Sequence, residues 1–219
     1  MIVVVGLAFE ARIAAGPGVE VICSGDGQGL ATSLARAVKG GCRGLISFGV
    51  AGGLAPGLKP GTCVIGSAIL SENPPLQTDR HWSQKLLRTL PDAVYGMLVG
   101  VPAPIADPAA KRALHARTGA IAVDMESHIV AGVAASHDIP VAAIRVITDP
   151  AMRALPEAAL AAMRPDGTTD ITAVMRSLLK KPRELPALLR TALDARAARA
   201  TLLRGRQLLG PGLGLPNFG

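Results

Sequence analysis

Two acidic positions and two glycine-rich turns are where this chain could do chemistry. The segment Val123-Asp124-Met125-Glu126-Ser127-His128 sets a Met beside a Glu at a strand-to-helix boundary. A carboxylate there can accept two hydrogen bonds from a vicinal diol while the thioether packs on a sugar face. An acid in the first turn of a helix also stabilises that helix whatever else it does. Asp149 ends an apolar run and precedes Pro150. It is either a turn-initiating Asp or a carboxyl placed to deliver a proton. Gly49, Ala51, Gly52 and Gly53 follow a buried run, so a flat group, or a neighbouring helix, can approach the backbone closely. The turn from Ser24 and Gly25 to Gly29 lies between a strand and a helix, where its N–H groups suit an anion or sugar hydroxyls; a plain tight turn reads the same way.

Other chemistries lack their residues. The glycines at 25, 27 and 29 are not in dinucleotide spacing, and Asp26 among them opposes a phosphate. His81 and His115 fall on helical segments, and His128 and His137 lie nine apart without the HExxH pattern, so no metal site is expected. Ser24, Ser47 and Ser67 have no G-x-S-x-G elbow, which leaves a hydrolase triad unsupported. Cys23, Cys42 and Cys63 show no metal spacing and an odd count, as expected of reduced thiols in the cytoplasm. No resident cofactor is implied.

The positioning elements must come from an aliphatic chain. Of 219 residues, 49% are hydrophobic, 18% charged and only 2% aromatic, which excludes a disordered tail protein. No apolar run reaches 18 residues, and Met1 to Gly6 does not read as a signal peptide. The net charge is +7, but eight Lys or Arg against Glu184 and Asp194 place +6 of it between Lys180 and Arg206. With few aromatics to stack on bases, nucleic acid is not an expected partner.

Strands are predicted at 2–5, 19–23, 45–48, 62–70, 93–101, 120–124 and 140–147 from short β-branched runs bounded by turn residues. Helices are predicted at 30–39, 81–90, 107–118 and 126–137, with Asp107 as a cap before Pro108. Strands this apolar, alternating with helices, imply an α/β fold whose largely parallel sheet is covered on both faces. Its active site would lie beyond the carboxyl ends of the strands, where the glycines and acids fall. Past Gly167 the pattern is helical only, with a long Ala/Leu/Arg helix running to about Gln207.

Taken in order, the motifs resemble the nucleoside phosphorylase and nucleosidase superfamily, especially its methylthioadenosine/adenosylhomocysteine nucleosidase branch. Gly6-Leu7-Ala8-Phe9-Glu10 follows the first strand. Phe48-Gly49-Val50-Ala51-Gly52-Gly53-Leu54 and Leu58-Lys59-Pro60-Gly61-Thr62 are similar to the family's T-G-S-A-G-G-L and L-K-x-G-D. Val123-Asp124-Met125-Glu126 is similar to V-E-M-E, and Ile144-Arg145-Val146-Ile147-Thr148-Asp149 to V-R-x-I-S-D. The resemblance covers residues 1 to about 175 and implies a three-layer αβα fold around a central, largely parallel mixed sheet. It implies that Glu126 binds the ribose hydroxyls, that Met125 packs on the sugar, that Asp149 protonates the departing purine and that Glu10 orients the attacking water.

Departures refine the expectation. Val50 stands where the family has a polar residue that helps phosphate bind, so inorganic phosphate and water both stay open as acceptor, with Arg12, Arg43 or Arg145 able to compensate. The family's aromatic-rich stretch after Ser67 is replaced by Ala68-Ile69-Leu70-Ser71-Glu72-Asn73-Pro74-Pro75, which implies a substrate without the ordinary methylthio group. With its basic Leu/Arg tail the chain most resembles the hopanoid-associated phosphorylases, which implies release of adenine from adenosylhopane. The division expected is a catalytic domain over 1–178 and a basic amphipathic extension over 179–219. Leu185, Leu188, Leu189, Ala192 and Leu193 share one face of that extension, which suits peripheral contact with the inner face of the cytoplasmic membrane through 180–206, or packing on the body or a second copy in a homodimer or higher oligomer. Competing readings are a general purine nucleoside phosphorylase, a methylthioadenosine- or futalosine-type nucleosidase, a non-catalytic nucleoside-binding module, and a membrane-peripheral scaffold.

Overall fold

The computed structural model of the chain describes residues 1–24, 29–71, 74–162, 164, 167–168 and 170–216. Its strands are β1 (Ile2–Val5), β2 (Glu20–Cys23), β3 (Leu45–Gly53), β4 (Cys63–Leu70), β5 (Leu76–Gln77), β6 (Val94–Gly100), β7 (Ala122–Asp124) and β8 (Val141–Asp149). The helices are α1 (Ala8–Ala14), α2 (Leu30–Val38), α3 (Arg80–Thr89), α4 (Pro108–Thr118), α5 (Ser127–Ser136), α6 (Glu157–Ala161), α7 (Ile171–Lys180) and α8 (Leu185–Leu209).

This is a mixed α/β fold built on one central sheet, ordered β2-β1-β3-β7-β6-β4-β5, with β8 pairing both β3 and β4. Strand pairs β1–β2, β1–β3, β3–β8, β4–β6 and β6–β7 are parallel, and β3–β7, β4–β5 and β4–β8 antiparallel. Because β8 joins β3 to β4, the path β3–β7–β6–β4–β8 closes on itself, which leaves those five strands without a free edge.

Side-chain alternation sorts the two faces. Val3, Val5, Ile46, Phe48, Ile144 and Val146 pack toward Trp82 and Leu86 of α3 and Ala198 and Leu202 of α8. Ile2, Val4 and Leu45 point the other way, toward Leu30 and Leu34 of α2 and Val130 and Val133 of α5. Asp107 caps α4 as its position before Pro108 predicts, accepting the Ala110 N–H at 2.8 Å.

Three differences from the sequence reading bear on function. The helix α1 lies where no helix is predicted; Glu10, in its first turn, reaches back to accept the Leu7 N–H at 2.8 Å. Strand β3 does not stop at Phe48 but continues through its glycines to Gly53, since β8 pairs it on one side and β7 takes up its last two residues. The segment after residue 178 is woven into the core: Ala198, Leu202, Leu209 and Leu213 are buried there, and the Trp82 indole N–H donates to the Leu213 carbonyl at 3.0 Å. The first half of α8 leaves Leu185, Leu189 and Leu193 between 46% and 65% accessible, and in the second half Leu203 and Leu208 are exposed on the side away from the buried Ala198, Leu202 and Leu209.

Candidate active site

A cleft of about 280 Å³ opens beyond the carboxyl ends of β1, β3, β7 and β8. Gly6, Glu10, Val50, Ala51, Gly52, Asp124, Met125, Glu126, Arg145, Thr148 and Asp149 line it, so six of the expected site residues converge from positions up to 139 apart in sequence. Leu155 and Leu160 wall it on one side, and Thr191 and Ala195 of α8 complete it. Gly53 and Ser24 are not among its lining residues. Gly53 is buried in the pairing with Ala122 of β7, and the Ser24 N–H is bonded to the Val5 carbonyl at 3.0 Å. Gly25 and Asp26 lie outside the described residues.

The glycines make room for carboxylates. A Cβ on Gly6 would fall 2.5 Å from Glu126 Oε1, one on Gly49 2.5 Å from Glu10 Oε1, and one on Gly52 3.1 Å from Asp149 Oδ2. The first two contacts are closer than a carbon and an oxygen can come, so the acid would have to move, and the third would need Asp149 to give by a few tenths of an ångström. What comes close to these turns is thus an acidic side chain of the same chain.

Arg145 organises the acids. Fully buried on β8, it lies 3.1 Å from Asp124 Oδ2 through Nε and 3.1 Å from Glu126 Oε2 through Nη2, and it donates to the Val50 carbonyl and the Ser47 hydroxyl at 3.2 and 2.5 Å. Burial opposes its charge, but the carboxylates of Asp124, Glu126 and Glu10 outweigh that and hold its proton more firmly than usual. For Glu126 burial wins: it pushes the carboxyl up to about 7, against the pull of Arg145 and with the help of Asp124 and Glu10. The helix-stabilising role falls to Asp124, whose Oδ1 accepts the N–H groups of Glu126 and Ser127 at 2.9 and 2.7 Å. Glu126 makes no such cap, and its side chain is turned to the cleft.

Glu10 is 1% exposed. Its Oε2 accepts from Gly6 and Leu7 at 3.0 and 2.8 Å, and its Oε1 from Val50 at 2.7 Å, which ties the loop after β1 to β3. Burial raises its pKa above the ordinary carboxylate value in spite of Arg145 and these three donors. A carboxylate has about four acceptor positions, so one remains for a further donor such as water.

Asp149, at the end of β8, is paired with a cation from another element. The ammonium of Lys111, from α4, lies 2.6 Å from its Oδ2, and the Thr148 hydroxyl donates to its Oδ1 at 2.8 Å. The sequence reading missed Lys111. Its signal was positional, because Lys111 and Leu114 are three apart and share the face of α4 that is buried.

Residues 6–181 match the phosphorylase superfamily model, and the chain belongs to that superfamily. Membership places it among the enzymes that cleave N-glycosyl bonds. Solved structures with this fold include the 5′-methylthioadenosine/S-adenosylhomocysteine nucleosidase of Campylobacter jejuni, with 15% identity, a TM-score of 0.62, and coverage of 93% of this chain and 98% of that one. Native futalosine hydrolase of Helicobacter pylori shares 15% identity with a TM-score of 0.63, covering 94% and 96%. The nucleosidase of Colwellia psychrerythraea, solved in complex with adenine, shares 15% with a TM-score of 0.61, covering 93% and 94%. No curated protein matches the chain.

Proposed function

We propose that this protein cleaves the N-ribosidic bond of a purine nucleoside and that water accepts the ribosyl group. The observation that carries this reading is the charge inventory of the cleft. Glu10, Asp124, Glu126 and Asp149 line it, against Arg145 as the only cation among the described lining residues; Arg145 is engaged by Asp124 and Glu126, and the buried Lys111 behind the cleft by Asp149, so acids still outnumber cations and neither cation is unengaged. Inorganic phosphate would enter a site of its own sign with no unengaged partner, whereas an oxocarbenium-like ribosyl cation is stabilised by that surplus of carboxylates. In this reading Glu126 accepts hydrogen bonds from the ribose diol, Met125 packs on the sugar, Glu10 orients water with its remaining acceptor position, and a proton delivered at Asp149 relieves charge on the departing base. Ala51 and Gly52 flank the sugar.

The apolar rim favours a bulky hydrocarbon on the far end of the nucleoside. Val101, Pro104, Ile105, Leu155 and Leu160 form one side of the cleft, and the resemblance noted above makes adenosylhopane the candidate. Such a substrate sits in a lipid bilayer, and the exposed Leu185, Leu189 and Leu193, beside Arg190 and Arg196, are the surface we assign to peripheral contact with it. The same stripe could instead seat a second copy of the chain.

Incubation with adenosine, and with adenosine bearing a long 5′-alkyl chain, tests the reading. In phosphate-free buffer the expected products are adenine and the free pentose, with the alkyl substrate turned over faster. Adenine released only when phosphate is supplied, with a pentose 1-phosphate beside it, would overturn the choice of water. No adenine under either condition would overturn the activity.

A further inference from the structure

The ammonium of Lys111 has no exposure at all, and among the described residues its single ion-pair partner is Oδ2 of Asp149 at 2.6 Å. Its other contacts are main-chain carbonyls: Arg153 at 3.1 Å, Pro150 at 3.4 Å and Asp149 itself at 3.5 Å. Enclosing a lysine is unfavourable unless its charge is matched, and a buried pair of this kind adds little net stability over an apolar pair of the same shape. This pair lies at the edge of the cleft: Asp149 lines it, and Lys111 sits behind Asp149. Asp149 faces both ways: Oδ2 holds the ammonium, while the carboxyl retains 11% exposure toward the cleft.

We propose that Lys111 is a positioning residue that stores the proton Asp149 passes to the departing base. This rests on the N-ribosidic reading above. With an ammonium at 2.6 Å, Asp149 rests as a carboxylate and has no proton of its own to give. As the C–N bond to the base breaks and its electron pair moves onto the base, Asp149 delivers a proton to a ring nitrogen and takes one from Lys111. One N–H bond is lost at the ammonium and one is gained on the base, Asp149 ends as it began, and once the products leave the neutral amine recovers a proton that Asp149, exposed to the cleft, takes from water. The three carbonyls around Nζ keep the ammonium aimed at Oδ2 throughout, so Lys111 acts through Asp149 and never touches the substrate.

Lys111→Met and Lys111→Arg separate proton storage from mere charge, because a guanidinium keeps its charge but does not release a proton. Thermal melts would first establish that each variant folds; Lys111→Gln, which can still donate to the carbonyls, replaces Met if that variant does not. Turnover is then measured on adenosine and on p-nitrophenyl β-D-ribofuranoside, whose leaving group departs as a stable anion and needs no proton. We expect kcat on adenosine to fall roughly 10²-fold or more in both the Met and Arg variants with KM little changed, while the nitrophenyl riboside loses far less. Equal losses on both substrates, or recovery of adenosine turnover by Arg, would overturn the proposal and leave a structural ion pair. A wild-type protein that releases no adenine would instead overturn the reading on which the proposal rests.

Discussion

At the scale of single residues, the site is a contest between burial and charge. Glu126 shows it most clearly, because its carboxyl titrates at about 7 instead of the ordinary 4.5. If the ionised form accepts the ribose diol, KM for a purine ribonucleoside should fall as the pH rises from about 6 to 8, and KM for its 2′,3′-dideoxy analogue should stay level; initial-rate kinetics at several pH values decide this. The stability consequence has the opposite sense. A carboxyl whose folded pKa is raised contributes stability that is fully present below about 4.5 and is lost as the pH climbs through 7. Urea unfolding should therefore show the wild type losing stability over that window relative to Glu126→Gln, which has nothing to titrate. Asp149→Asn should leave the fold intact and lower adenine release by roughly 10²-fold or more, since an amide passes no proton. A well-folded Asn variant with near-normal turnover would remove Asp149 from the chemistry.

At the scale of elements, the site works because strand ends and helix starts carry glycines opposite acids. The loop after β1 is the sharpest case, with Gly6 leaving room for Glu126 Oε1 where a methyl would sit at 2.5 Å. Gly6→Ala should displace that carboxylate by a fraction of an ångström to an ångström and lower kcat/KM by up to about 10²-fold, with a melt showing the protein still folded. Unchanged kinetics would mean that Glu126 is free to move and is not held in position. The helix α8 is divided between two tasks along its length. Its second half faces the core through Ala198, Leu202 and Leu209, so Leu202→Ala should cost about 2–5 kcal/mol by chemical denaturation. Further toward its start, Thr191 and Ala195 border the cleft, and the ion pair of Arg153 with Asp194 ties the helix to the loop after β8.

For the whole molecule, the apolar stripe at the start of α8 stands out because it is exposed amid a concentration of positive charge. Among the described residues no helix is long and apolar enough to cross a membrane, yet Leu185, Leu189 and Leu193 stand exposed within the segment that carries +6. Apolar side chains beside cations fit an anionic bilayer surface, where each basic residue adds about 1 kcal/mol and salt weakens the attraction. The intact protein should co-sediment with anionic vesicles at low salt and release at high salt, and Leu189→Glu with Leu193→Glu should abolish the association. If the wild type sediments with vesicles at neither salt concentration, the membrane surface is excluded. Truncation after Ser177 is a poor substitute for those variants, since it removes four core residues along with the stripe and should unfold the protein.

Local signals sufficed for much of this. The wholly apolar run of β1, the cap at Asp107 and the place of Asp149 at the end of β8 all depend on residues adjacent in sequence, and the chain shows them without its structure. The acids and glycines of the site were legible for the same reason, because strand ends are marked by turn residues. What the chain alone could not show depends on contacts across long separations. Lys111 meets Asp149 over 38 positions, and Arg145 draws Asp124 and Glu126 together from 21 and 19 positions away. The turn glycines read as space for a ligand, but tertiary structure fills that space with Glu126, Glu10 and Asp149. Nor could composition show that the buried leucines of α8, Leu202 and Leu209, lie in its second half, beside the exposed Leu203 and Leu208. Both halves are rich in Ala, Leu and Arg, and only the position of the sheet beneath decides which leucines find a partner.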